Sequence, residues 1–199
     1  MMSDETVDLW AIDEVHFQQY GSRCRMWVPP ETKDPVLLHH PGRKSVGYFG
    51  AVRIRDGTFV YRRERDRFNA LTFHDFMRHL QPICTAPDRR AVLIIDNAKY
   101  HHAKLHADWR VEHHACFCLD YLPPYSPDLN PIERVWKLTR RNCLHNRYFQ
   151  SLHQIENAVE EQFDMWRNSN DILRRLCAIN WDAMYKSRAL RVVCHRPDG

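Results

Sequence analysis

A chain of 199 residues, 44% hydrophobic and 27% charged, has the balance of a soluble globular protein and enough length for a core that needs no disulfides. No apolar run approaches the roughly 20 residues that span a bilayer, and the acidic opening MMSDETVDLW has no apolar signal core. A membrane protein and a secreted protein are therefore not expected, and the cytoplasm is. Net charge is +4, unevenly spread. The first twenty residues hold Asp4, Glu5, Asp8, Asp13 and Glu14 and no Lys or Arg, whereas six arginines fall between Arg53 and Arg67. Arg134, Lys137, Arg140, Arg141 and Arg147 form a second basic group, and Lys186, Arg188, Arg191 and Arg196 a third. Such patches suit a phosphate backbone as well as a solvated surface.

In chain order, Leu9 to Val15 reads as a short apolar strand ending in acid, and Arg23 to Val28 as a second, stopped by Pro29-Pro30. Residues 31–45 carry Pro35, Pro41 and Gly42 and read as a loop. Val46 to Ile54 is a third strand, and Asp56-Gly57 turns it back into Phe59 to Arg62 as a hairpin. Phe73, Phe76, Met77 and Leu80 make one helical face starting near Thr72. Ala91 to Ile95 reads as a strand buried on both faces, followed by Asp96. A helix is expected over Ala103 to Glu112 and a strand over Cys116 to Leu122. Asn130-Pro131 is a favoured helix opening, with the helix running to about Cys143. Two more helices follow, over Leu152 to Trp166 and from Asp171 to about Leu176. Strands and helices in this order imply an α/β fold with a mixed sheet. The expected organisation is a single domain, with residues 170–199 as a helical C-terminal appendage.

Seven cysteines, odd in number and scattered, read as reduced thiols in a chain with no export signal. There are thirteen histidines but no CxxC pair, so the ligand spacing of a structural zinc site is missing. Carboxylates offer a different chemistry. Asp13 and Asp96 each follow an apolar strand, where sites in open α/β sheets gather, and Glu133 lies in the first turn of a helix. Three clustered carboxylates repel one another unless a divalent cation holds them ionised, and hard oxygen ligands suit Mg²⁺ or Mn²⁺. Plain structural readings exist for each: a strand end at solvent for Asp13, a turn for Asp96-Asn97, and for Glu133 the reciprocal partner of Asn130 in a capping box. Glu14 rivals Asp13, because adjacent strand residues face opposite ways, and Asp120 and Asp128 are further rivals.

The string LPPYSPDLNPIERVW (residues 122–136) resembles the block around the third acid in DDE transposases of the mariner superfamily, above all their bacterial insertion-sequence branch. LIIDNAKYHHAKL (93–105) and LWAIDEVHFQ (9–18) are similar to that family's second and first blocks, in family order, and the resemblance covers about residues 7 to 165. It implies an RNase H-like fold, with a mixed β-sheet flanked by α-helices. It also implies Asp13, Asp96 and Glu133 as ligands of two Mg²⁺ or Mn²⁺ ions. DNA cleavage and strand transfer at inverted-repeat ends, typically into a TA target, would be the activity, in a bacterial, nucleoid-associated enzyme working as a homodimer. Asn97, His101, Tyr125, Ser126, Arg134, Lys137, Arg140 and Arg141 become candidate DNA contacts, and Trp136 and Leu138 core residues. Twelve residues precede Asp13, too few for the family's N-terminal helix-turn-helix, so a second reading frame joined to a helix-turn-helix partner by frameshifting, a truncated copy or a cloned domain are the alternatives. A silent, truncated regulator that binds DNA, or another RNase H-like nuclease, shares much of this pattern.

Overall fold

The computed structural model describes residues 6–20, 24–25, 29, 31, 36, 38, 40–124 and 126–179. Five strands, β1 (Val7–Gln18), β2 (Ser45–Arg53), β3 (Phe59–Glu64), β4 (Arg90–Ile95) and β5 (Phe117–Tyr121), form one sheet in the order β3-β2-β1-β4-β5. The first three are antiparallel neighbours, while β4 and β5 add in parallel. The strand expected over Arg23 to Val28 lies largely outside the described residues; Cys24 and Arg25 are described and are not strand.

Strand β1 corrects one expectation. It does not end at Val15 but continues to Gln18, because β2 pairs with it along that whole stretch, down to Gln18 opposite Ser45. Only its parallel partner stops early, with Ala11 opposite Ile94 as the last pair. Asp13 and Asp96 stand two positions beyond that pair on their respective chains, at the level where the two neighbours part.

Side chains of β1 alternate between two cores, as the strand period requires. Trp10 and Ile12 join Phe49, Phe73, Phe76, Met77 and Leu80 under α1 (Ala70–Cys84). Ala11, Val15 and Phe17 join Tyr48, Phe59, Trp136, Phe163 and Leu173 on the other face. That second layer is built from α3 (Ile132–Thr139), α4 (Leu152–Asp164) and α5 (Asp171–Leu176). Helix α1 starts at Ala70 rather than near Thr72, since Asn69 caps it and Thr72 returns the bond in a capping box. The helix expected over Ala103 to Glu112 divides into 3-10 turns at Lys99–His102 and Lys104–His106 and a short α2 (Ala107–His113). Ala103 is extended between the two turns, which lets His101 and His106 both point inward. The hairpin is as expected, with Gly57 at φ 76°.

Asn130-Pro131 does open α3, but the side chain of Asn130 has another task. Its amide donates to the Ile12 carbonyl at 3.0 Å, a buried bond to the residue before Asp13. It contributes only a long 3.4 Å acceptor to Ile132 N–H, and no side-chain cap closes the helix. Past Thr139 the helix widens into a π turn, Arg140–Leu144, which completes the run to the expected end.

Gly50 lies opposite Asp13 on β2, and a Cβ there would collide with the Trp136 ring and press on Phe59. The missing side chain is the space in which the indole lies. Gly50→Ala is expected to lower stability by about 1–3 kcal/mol through overpacking. Thermal unfolding should show it, at about 2–4 °C per kcal/mol; an unchanged Tm would mean the indole moves aside freely.

Candidate active site

Asp13 points to the α3 face of the sheet, where the indole N–H of Trp136 donates to its Oδ2 at 3.0 Å. Trp136 is 1% exposed, so it packs the core as expected, but it also grips an acid. Burial pushes the Asp13 carboxyl well above the ordinary carboxylate range, and the charges of Glu14 and then Glu133 push the same way, with the Trp136 bond opposing. The Glu133 carboxylate is thus close enough to be felt by Asp13. It sits half-buried in the first turn of α3, as the chain order implied, and it does not form the capping-box bond that was its structural alternative.

Glu14 turns to the opposite face. The Tyr100 hydroxyl donates to its Oε1, and His101 Nε2 lies 3.8 Å from Oε2. Burial raises its pKa; the Tyr100 bond and the His101 charge oppose that, and the Asp96 charge adds to it. Asp96 lies at the exit of β4, half-exposed, with Oδ1 2.8 Å from His101 Nδ1 and accepting the Ala98 N–H at 3.1 Å. The His101 bond holds its carboxyl below the usual range against a smaller effect of burial. Four acids therefore surround the point where β1 and β4 separate. The charge of Glu133 bears on Asp13, and that of Asp96 on Glu14. Among the described residues, no three His, Cys, Asp or Glu side chains converge closely enough to hold one ion as they lie. Of the remaining rivals, Asp120 lies on β5 with its pKa raised by burial, and Asp128 is exposed in a 3-10 turn.

The expected DNA contacts divide. His101 is 0% exposed and has no surface to offer a phosphate, so its place among them is corrected: it is a buried partner of Asp96. Asn97 is exposed, yet its side chain is used internally, donating to the Leu122 carbonyl and meeting His102 Nε2 at 3.1 Å. That ties the exit of β4 to the exit of β5. Ser126 bonds locally to the Pro124 carbonyl at 3.3 Å, and Tyr125 lies outside the described residues. Arg134 is exposed but donates to the Leu176 and Ala178 carbonyls, closing the end of α5. Arg140 lies over the Phe17 ring at 5.5 Å. Lys137 and Arg141 are exposed, with no ion-pair partner among the described residues. The 53–67 arginine cluster is largely spent on the fold: Arg53 and Arg55 pair with buried Asp8, and Arg63 with Glu156. Arg65 and Arg67 remain exposed, beside the open end of β3.

Tyr100 and Asn130 were not anticipated in these roles. The Asn130-Pro131 signal had been read as a helix cap, and Tyr100 carries no local pattern that marks it. None of the described helices is long and apolar enough to cross a membrane.

The family of DDE superfamily endonucleases matches residues 8–156. A protein of Sinorhizobium fredii, the uncharacterized protein y4pE/y4sA, is 40% identical over 80 residues, covering 39% of this chain and 55% of that protein. Among solved structures, the Mos1 mariner paired end complex with Mn has a TM-score of 0.61 at 18% identity, over 85% of this chain and 51% of that chain. The catalytic domain of Mos1 mariner transposase has a TM-score of 0.54 at 17% identity, over 85% of this chain and 74% of that one. The chain thus spans about half the length of the full-length relatives it matches. At such identity the structural likeness establishes the fold, an RNase H-like mixed sheet flanked by helices. Since the matched span takes in Asp13, Asp96 and Glu133 together with the strands and helix that carry them, the chain belongs to the DDE superfamily endonucleases.

Proposed function

We propose that this chain is the catalytic domain of a cut-and-paste DNA transposase, with Asp13, Asp96 and Glu133 as the ligands of two Mg²⁺ or Mn²⁺ ions. The observation that carries the reading is positional. Asp13 and Asp96 occupy equivalent levels on adjacent parallel strands, and α3 brings the charge of Glu133 to bear on Asp13. The donor set fits such ions: all oxygen, all carboxylate, and in Asp13 a half-buried group whose ionisation burial and neighbouring charges oppose. The solved relatives include mariner paired-end complexes with Mn and with Mg.

Bound divalent cations supply a lowered pKa for an attacking water and charge neutralisation at the phosphate. The chain's own residues do the rest. Trp136 holds Asp13 in place, Asn130 fixes the start of α3 against β1, and the Asn97 bond to Leu122 secures the loop behind Asp96. Lys137 and Arg141, leaving the same helical run as Glu133, and Arg65 and Arg67, just past the end of β3, are exposed cations that could meet phosphates. Water cuts the DNA end first, and the freed 3′-hydroxyl then attacks target DNA, at a TA dinucleotide by family resemblance. A homodimer joining two ends, and a helix-turn-helix region that recognises them, complete the proposed assembly.

Two experiments follow. With Mg²⁺ or Mn²⁺, the purified chain should nick DNA bearing the element ends. Asp96→Asn should retain DNA binding and lose cleavage by at least about a thousandfold, equivalent to about 4 kcal/mol of barrier. Cleavage that survives this substitution, or survives chelation of the metal, refutes the assignment; a wild-type chain that binds DNA without cutting it favours the silent regulator. The second experiment reads stability. Because the folded-state pKa of Asp13 is raised, its contribution to stability is fully present below the ordinary carboxylate range and is lost as pH rises through the raised value. Without metal, Asp13→Asn should therefore unfold at a higher temperature than wild type at neutral pH, by about 2–4 °C per kcal/mol relieved. The gap should close as the solution is acidified, and Mn²⁺ should stabilise wild type but not the variant. A variant less stable than wild type at pH 7 without metal would show that the charge of Asp13 is not a burden.

A further inference from the structure

We propose that Glu14 is a positioning residue that acts through His101 on Asp96, so that the protein holds one carboxylate oxygen of Asp96 and leaves the other to the reaction. This deepens the reading of Asp96 as a metal ligand and rests on it.

The case starts from strand geometry. Asp13 and Glu14 are consecutive on β1 and must face opposite ways. Asp13 meets Trp136 on the α3 face, and Glu14 meets Tyr100 and His101 on the other. Glu14 is half-buried, its side chain 19% exposed, and it forms no ion pair with a Lys or Arg among the described residues. Its two oxygens are divided: Oε1 takes the Tyr100 hydroxyl, and Oε2 faces His101 Nε2 at 3.8 Å. His101 lies between two carboxylates: its buried Nε2 faces Glu14 Oε2 at 3.8 Å, a charge contact beyond hydrogen-bond reach, and its Nδ1 lies 2.8 Å from Asp96 Oδ1 and 3.3 Å from the Asp96 carbonyl.

The imidazole has little freedom to swing. Its ring is wedged between Phe73 and Tyr100, with centroids at 4.4 and 4.3 Å. The His101 carbonyl accepts the Tyr121 hydroxyl at 3.0 Å and Arg110 at 3.3 Å, and the Tyr100 carbonyl lies 3.0 Å from His106 Nε2. Its effect falls on one atom. Asp96 Oδ1 is taken by both His101 and the Ala98 N–H, whereas no hydrogen bond reaches Oδ2 among the described residues. An outer partner that orients a ligand in this way typically affects metal affinity or activity by about 10–100-fold.

The test is Mn²⁺ binding to the metal-free chain, followed by the electron paramagnetic resonance of free Mn²⁺, with DNA affinity and Tm measured alongside. Glu14→Gln and Tyr100→Phe should each weaken Mn²⁺ binding by about 10–100-fold with DNA affinity unchanged. His101→Asn keeps an amide donor for Asp96 and has no atom that reaches Glu14, so Glu14→Gln added to it should cause no further loss. Equal loss from Glu14→Gln in both backgrounds would make Glu14 a ligand and overturn the proposal. A fall in Tm with Mn²⁺ affinity intact would reduce it to packing and overturn it as well. Asp96→Asn is the control: if it leaves Mn²⁺ binding unchanged, the metal-site reading fails first and takes this inference with it.

Discussion

An indole lying over a glycine joins the helix that carries the third acid to the strand that carries the first. Trp136 reaches Asp13 only because Gly50, opposite Asp13 on β2, has no side chain to keep the ring away. Asn130, six residues earlier, bonds the carbonyl of Ile12. These two bonds fix α3 against β1 on either side of Glu133. Together with buried Ile132 and Val135 they give Glu133 a fixed relation to the sheet. The Asn130 bond is buried and the Trp136 bond partly so, a setting where a lost partner costs more than the bond itself contributes.

The arrangement so fixed is electrostatically unfavourable in itself. Burial and like charge act together on Asp13 and on Glu14. The fold accepts this at one level of the sheet, where β1 and β4 separate, and offsets it with neutral or cationic donors: Trp136 for Asp13, Tyr100 for Glu14, His101 for Asp96. Asp8, a fully buried aspartate, is treated differently. Asp8 lies among Arg53, Arg55 and Arg89 at the far end of β1, which is how a carboxylate is stabilised when structure alone is at stake. Strain of this kind, localised while the rest of the fold is locally consistent, is the physical ground for the proposed site.

Much of this could be read from the sequence. Period-2 and period-3.6 patterns gave the order of elements, the Asp56-Gly57 hairpin and the α1 face, because those signals are local and depend on near neighbours. The three blocks pointed to Asp13, Asp96 and Glu133 and to the family. The errors share a cause. The apolar run of β1 falters after Val15, where the sequence ends the strand, but pairing with β2, which sets Ser45 opposite Gln18, extends it. Asn130 was assigned to its own helix because capping is a local preference, but a long-range acceptor on β1 took its amide. His101 was placed on the surface because histidine often is, whereas the 3-10 turns around extended Ala103 carry it inside.

The chain alone determined the class of fold, the acids worth considering and the family whose chemistry they suggest, since these depend on composition, spacing and short strings of residues. It left open which of Asp13 and Glu14 stands with Glu133, because two neighbours on a strand are distinguished only by what lies on either face. Tertiary structure decided that: α3 covers one face and the Lys99–His102 turn the other, so the adjacent carboxylates acquire different partners and different roles. The same holds for the basic residues. Their charge was visible in the sequence, but whether an arginine closes a helix, pairs with a buried aspartate or stays free for phosphate depends on which carbonyls and carboxylates the fold brings near it.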